Sequence, residues 1–540
     1  MEFRVLSYST ISICAVICVC EGFNAIEEYE KPKEDWFRQF LDLTCDIPSH
    51  DTLSDVINRL TNQFLLVNGM PVNGCLGVSM QTKNNFFYFK EIVKLATPIL
   101  SVRILYIAVG FIGMLFIAHL GKQELAASAL VAALSNTIMV VIMSPLLAVG
   151  ITVSRYYGQN KLREIGMEIR QAWLISIVLG VIGSLIFWNL TKLLVWMHQP
   201  IELVPLIDPY FRAMAWSVIP SLLLTSYHQM FFPLKKGYLV VALSALNLGF
   251  TILLGYTLIH GYAGLPTLGM AGWAYGISIA NWTLAIGVFI YLYFTKNFPN
   301  YHFFDFRVLW DPERLAAFFQ ISFPITIQFA SELLVFSAIN IMIGWLGVGA
   351  LSVQQILIQC STVALMIPMG IGQACTILVS YTVGNGEYNL IRKIGHVGLV
   401  LVIIFMIAIA IVYLLNPLTI IGLYINLGAE ENVALIGLAK VMLAIVAFSQ
   451  IADAVRNLLM AVLRGLSDVW YPMWVNMGLL WIFGLPVSYL LAFPLKQGQQ
   501  GINIGFLITF LLGAILMIVR FFRKTADMVH GKISGKSINN

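Results

Sequence analysis

Residues 448–468 read FSQIADAVRNLLMAVLRGLSD, an apolar helical pattern carrying one acid, Asp453, roughly eleven residues before the basic end at Arg464. At ~1.5 Å per residue, Asp453 lies roughly 16 Å from that end, about half of a ~30 Å hydrocarbon slab. A charge at that depth costs several kcal/mol unless it is paired or faces water, so it marks a functional site by default. A second acid, Glu332, stands in the same predicament in FPITIQFASELLVFSAINIMIGWLG, residues 323–347. The two acids together point to a membrane transporter that cycles a cation on the pair Glu332 and Asp453.

Working outward, the 540 residues are 59% hydrophobic and only 11% charged, with a mean hydropathy of +0.83. Soluble domains carry about 25% charged residues, so the chain is an integral membrane protein. The net charge of +5 says little, because the placement of Lys and Arg matters more than their sum. Five of the seven cysteines lie in the first 75 residues, with no zinc-site spacing and no disulfide framework. The chain carries no Walker-type phosphate loop, so ATP is not expected to drive it.

Twelve apolar segments follow Phe86, at roughly 92–118, 125–152, 167–190, 209–232, 238–260, 270–295, 318–345, 351–380, 394–415, 434–462, 470–493 and 501–522. The longest loop, Thr295–Pro312, divides them six and six. Loops after even-numbered spans carry eleven basic residues and loops after odd-numbered spans three, which predicts that both termini are cytoplasmic. The halves repeat. A shift of 226 residues brings Pro98 onto Pro324, Ser154 onto Ser380 and Gly158 onto Gly384, and a shift of 229 brings Gly272 and Gly276 onto Gly501 and Gly505. The expected fold is therefore all-α and integral to the membrane, with twelve helices in two six-helix lobes around a central cavity. The expected division is 1–85, a small helical soluble segment; 86–295, the first lobe; 296–311, an inter-lobe loop; 312–525, the second lobe; and 526–540, a tail.

Several motifs carry a resemblance. FIAHLGKQELAASAL (116–130), GYAGLPTLGMAGWAYGISIANW (261–282), SELLVFSAINIMIGWLG (331–347) with VQQ (353–355), and IADAVRNLLMAVLRGLSD (451–468) resemble the multidrug and toxic compound extrusion family, in its NorM-like branch. The resemblance implies a V-shaped cavity and antiport of cationic amphiphiles against inward Na⁺ or H⁺, coupled at Glu332 and Asp453. It implies no other cofactor, a single copy acting alone in the plasma (inner) membrane, and no enzymatic activity. Two departures stand out. The family's first helix carries an Asp in a GFVD-like motif where this chain has Gly113, so a site there is not expected. Relatives have Gln three residues after the tenth-span Asp, where this chain has Arg456. An (i, i+3) pair can neutralise itself, so Asp453 is either an ion ligand or a residue paired with Arg456.

Around Glu332, the helical neighbours Gln328 and Ser331 could share Na⁺ or hydrogen-bond a protonated acid. Asn340, Gln355 and Asn457 could complete an oxygen set suited to a hard cation, or serve as interhelical hydrogen bonds. Arg103, five residues into the first span, either snorkels to the membrane edge or pairs with a cavity acid.

The amino-terminal CAVICVCEGFNAIEEYEKPKEDWFRQFL (14–41) and IPSHDTLSDVINRL (47–60) resemble the amino-terminal associated region of DDE-class insertion-sequence transposases. No catalytic domain of that class follows. Ser49–Thr52 reads as a helix start, the segment as a fusion remnant, and Met80 as an alternative start. Two further functions remain open. A flippase of lipid-linked intermediates would want cavity Arg and Lys for pyrophosphate, chiefly Arg103 and Arg456 here. A membrane-tethered nucleic-acid module would rest on the amino-terminal segment alone, since no nucleic-acid binding is expected of the membrane portion.

Overall fold

The computed structural model describes residues 85–196, 203–264, 266–295, 301–305 and 311–529. The expectations for residues 1–84, including the helix start at Ser49–Thr52 and the start at Met80, lie outside the described residues.

With no water to satisfy backbone N–H and C=O groups, apolar spans close their hydrogen bonds internally as helices. Among the described residues the spans are α1 (Asn85–Ala118), α2 (Gln123–Gly158), α3 (Leu162–Trp196), α4 (Val204–Phe231), α5 (Gly237–His260) and α6 (Met270–Phe294) in the first lobe. The second lobe holds α7 (Pro312–Gly344), α8 (Val348–Gly384), α9 (Tyr388–Leu415), α10 (Val433–Gly465), α11 (Trp470–Ala492) and α12 (Gly498–Val529). Eleven are long and apolar enough to cross a membrane by length and composition. The remaining one, α4, is the most polar, and its Asp208 and Arg212 satisfy each other one turn apart at 2.8 Å. The last helix continues past the expected boundary at residue 525 to Val529.

The repeat seen in sequence is also a repeat of packing. A Cβ on Gly272 would lie 2.6 Å from the Leu258 carbonyl carbon of α5, and one on Gly501 would lie 2.6 Å from the Leu491 carbonyl carbon of α11. In each lobe the last helix packs on the one before it at the same glycine, where no side chain fits between the backbones.

Named contacts between the lobes gather at the end where even-numbered spans finish. Ser380 of α8 donates to the Ile151 carbonyl of α2 at 2.6 Å, and Arg155 of α2 donates to Ser467 Oγ after α10 at 2.6 Å. Asp311 caps α7 by accepting from the Glu313 and Arg314 amides at 3.1 and 3.3 Å. Arg314 then pairs with Glu164 of α3, tying the start of the second lobe to the first. Arg170 of α3 donates to the His302 carbonyl at 2.9 Å, so residues 301–305 also lie against the first lobe.

A π-helical turn, Gly478–Gly484, interrupts α11. Such turns widen a helix locally and recur at functional sites. This one lies against α7 beside Glu332, where Trp481 donates to Ser331 at 2.8 Å.

Candidate functional site

Glu332 and Asp453 come together through Arg456. Asp453 Oδ1 accepts from Arg456 Nε at 3.0 Å and Nη2 at 2.6 Å, and from Asn457 Nδ2 at 3.0 Å. Arg456 Nη1 reaches across to Glu332 Oε1 on α7 at 3.0 Å. Asn476 of α11 closes the group: its Nδ2 donates to Glu332 Oε1 at 2.9 Å, and its Oδ1 accepts from Arg456 Nη1. Asp453, Arg456 and Asn476 are 5%, 3% and 1% exposed, whereas the Glu332 side chain retains 14%. Glu332 is therefore the member of the group most open to an arriving ion.

Asp453 pairs with Arg456, and the same guanidinium also holds Glu332. That second contact escaped a reading confined to neighbours on one helix. With both acids ionised, two carboxylates and one guanidinium leave a net charge of −1. A single proton or monovalent cation makes the group neutral, which is the condition for moving it through a low-dielectric interior.

The surroundings fit a planar cation. The face of the Phe510 ring lies 5.2 Å from the Arg456 guanidinium carbon. A Cβ on Gly513 would lie 2.8 Å from Arg456 Cδ, so the missing side chain on α12 makes room for the arginine stem.

Other expected residues divide by place. Ser331 accepts from Trp481 Nε1 in the π-helical turn at 2.8 Å. Gln328, also buried, donates to Met460 Sδ at 3.2 Å, one turn beyond Arg456. These two brace the site from the side. Asn340 is two turns, about 12 Å, along α7 from Glu332, and Gln355 is exposed on α8. No contact among the described residues joins either to the group. Arg103 is half-buried in α1 with no ion pair among the described residues. Asn476 was missed, although α10 and α11 form an antiparallel hairpin that sets it level with Arg456.

In the first lobe the absence of an acid at position 113 has a structural counterpart. A Cβ on Gly113 would strike the indole of Trp273. Trp273 thus fills the space an acidic side chain there would need. Gly113→Asp is expected to lower membrane abundance, since it both overpacks and buries a charge. Adding Trp273→Ala should restore it, as measured by detergent-extracted yield. Among the described residues, no cluster of three or more His, Cys, Asp or Glu could hold a metal ion. An apolar cavity of about 310 Å³ opens elsewhere, between α3, α4 and α6, lined by Trp173, Tyr227, Trp282 and Phe289.

Against known proteins, residues 98–257 and 324–490 match the family model MatE. Residues 2–66 match a second model, DDE_Tnp_1-associated. The "Probable multidrug resistance protein NorM" of Brucella suis biovar 1 is 27% identical over 440 residues, 81% of this chain and 93% of the relative. The "Multidrug resistance protein NorM" of Burkholderia vietnamiensis is 29% identical over 440 residues, covering 81% and 95%. Among solved structures, the Vibrio cholerae MATE transporter VcmN in its bent form aligns with a TM-score of 0.72 at 18% identity, covering 82% of this chain and 98% of that one. A multidrug resistance MATE family transporter in an outward-facing conformation aligns with a TM-score of 0.74 at 14% identity, covering 83% and 99%.

Proposed function

The chain belongs to the MatE family, and from that premise we propose that it is a secondary active multidrug efflux antiporter. It exports cationic amphiphiles in exchange for an inward cation, Na⁺ or H⁺, and acts as a monomer in the plasma (inner) membrane. The observation that carries this reading is the buried group Glu332–Arg456–Asp453, which joins α7 to α10 and, with both acids ionised, sets two carboxylates against the one guanidinium that bridges them. An excess charge buried among apolar helices is costly unless the working cycle supplies its counter-ion. The names of the NorM relatives support drugs as the exported class.

Arg456 also bears on the flippase alternative. Its guanidinium is held by two carboxylates and an amide, so it has little left to offer a pyrophosphate. Competition between a cationic dye and an anionic lipid head group in reconstituted vesicles tests the choice. Export of the dye supports antiport, and movement of the lipid alone contradicts it.

Both termini are cytoplasmic in this proposal, on the strength of the eleven-to-three bias of basic residues. Thr267→Cys, in the exposed loop between α5 and α6, should react with an impermeant thiol reagent added outside intact cells. Asn385→Cys, in the turn after α8, should react only after the membrane is opened. The reverse labelling would overturn the orientation. The division into 1–85, 86–295, 296–311, 312–525 and 526–540 is likewise proposed, with the amino-terminal segment dispensable for export.

A further inference from the structure

The geometry points to Arg456 as a cation built into the chain, held where a metal ion bridging Glu332 and Asp453 would sit, so that the wild-type site neither binds nor needs Na⁺. This rests on the proposed coupling role of the two acids and narrows it. A sodium ion requires oxygen lone pairs directed at it. Here Asp453 Oδ1 already accepts three N–H donors, two from Arg456 and one from Asn457. Glu332 Oε1 accepts two, from Arg456 and Asn476. The Asn476 carbonyl oxygen, which could have been a further ligand, is also directed at the guanidinium.

A second observation is independent of those hydrogen bonds. The far wall, α12, is shaped for a planar cation on a long stem, with a glycine at position 513 under the stem and the Phe510 ring facing the guanidinium. A metal ion makes no use of either feature. A cation close enough to touch both carboxylates would also sit within a few ångströms of a fixed positive charge, at a depth where water screens little. The donor set of Glu332, Asp453, Asn457 and Asn476 becomes one for a hard cation only when the guanidinium is taken away.

The test compares wild type, Arg456→Gln and Arg456→Lys, purified in detergent and melted in KCl or NaCl of equal ionic strength. A ligand that binds the folded state alone raises the melting temperature. The wild type should melt at the same temperature in both salts. Arg456→Gln should melt lower in KCl and recover by several degrees in NaCl, and should retain radioactive sodium on a filter. Arg456→Lys keeps a tethered charge and should ignore the choice of salt. Sodium-specific stabilisation of the wild type, or of Arg456→Lys as strongly as Arg456→Gln, would overturn the inference. So would an Arg456→Gln protein indifferent to Na⁺. Should Arg456→Gln fail to accumulate, the wild type still decides. Dye export at the same rate in Na⁺-free potassium medium supports the inference, and export that stops there overturns it. Absence of dye export in both media would count instead against the drug-export reading, and the wild-type melting result would then decide the sodium question alone.

Discussion

Glu332→Gln and Asp453→Asn should each reduce gradient-driven export of a cationic dye to the level of vesicles lacking the protein, with membrane abundance unchanged. The reason is the charge count of the group. Removing either carboxylate leaves Arg456 balanced by the other, at 3.0 Å from Glu332 or 2.6 Å from Asp453. The helices still pack, but no negative charge remains to draw a driving cation into the site. The double variant behaves differently. It strands a buried guanidinium, and breaking a buried pair in this way costs about 3–5 kcal/mol, so abundance should fall as well. Residues acting as one unit are non-additive in this manner. Normal export by either single variant, at equal abundance, would remove that acid from the coupling site.

The second large effect is expected at the seam between the lobes. A Cβ on Gly158 at the end of α2 would strike the Tyr381 carbonyl of α8 and lie 3.1 Å from the Asn385 amide. A Cβ on Gly384 at the end of α8 would strike the Arg155 carbonyl and lie 3.0 Å from its carbon. Positions 158 and 384, and likewise 155 and 381, correspond under the 226-residue repeat, so the two contacts are the same contact made once from each lobe. Each glycine opposes backbone, which cannot turn aside as a flexible side chain can. Alanine at either position should therefore destabilise the conformation closed at this end and leave one open here unaffected. Overpacking of about 1–3 kcal/mol shifts such an equilibrium roughly 5- to 150-fold. Spin labels at Gln159 and Glu387 should report a longer mean separation in Gly158→Ala and Gly384→Ala, and export should fall with it. An unchanged distance distribution together with unchanged export would show that the seam tolerates the extra carbon.

Much of this fold was legible from hydrophobic runs. The spans, their six-and-six division and the repeat follow from apolar length and from glycines and prolines held in register, because a membrane leaves the backbone few alternatives. Glu332, Asp453 and Arg456 were legible for a related reason: a charge within an apolar span has to be explained. Asn476 was not, since a single amide in a span is cheap and its importance comes from the hairpin that sets it opposite Arg456. The reach of Arg456 to α7 was hidden because helix packing, and not sequence spacing, decides which faces meet. Asn340 and Gln355 show the converse. Their chemistry suited a cation site, but one lies two turns away and the other is exposed on α8. At Gly113 the family resemblance implied that an acid was missing, while only packing revealed that Trp273 takes its space. The π-helical turn in α11 ends two residues before Pro486, whose ring crowds the carbonyl four residues back inside the turn, and it brings Trp481 onto Ser331.

The most direct measurement of the central claim is dye accumulation in proteoliposomes under an imposed pH gradient and, in separate vesicles, an imposed Na⁺ gradient. Wild type, Glu332→Gln and Asp453→Asn should be compared at equal protein content. The expected result is uphill accumulation by the wild type under the pH gradient and by the two variants under neither. Accumulation by Asp453→Asn at the wild-type rate, or none by the wild type under either gradient, would contradict coupling at this group.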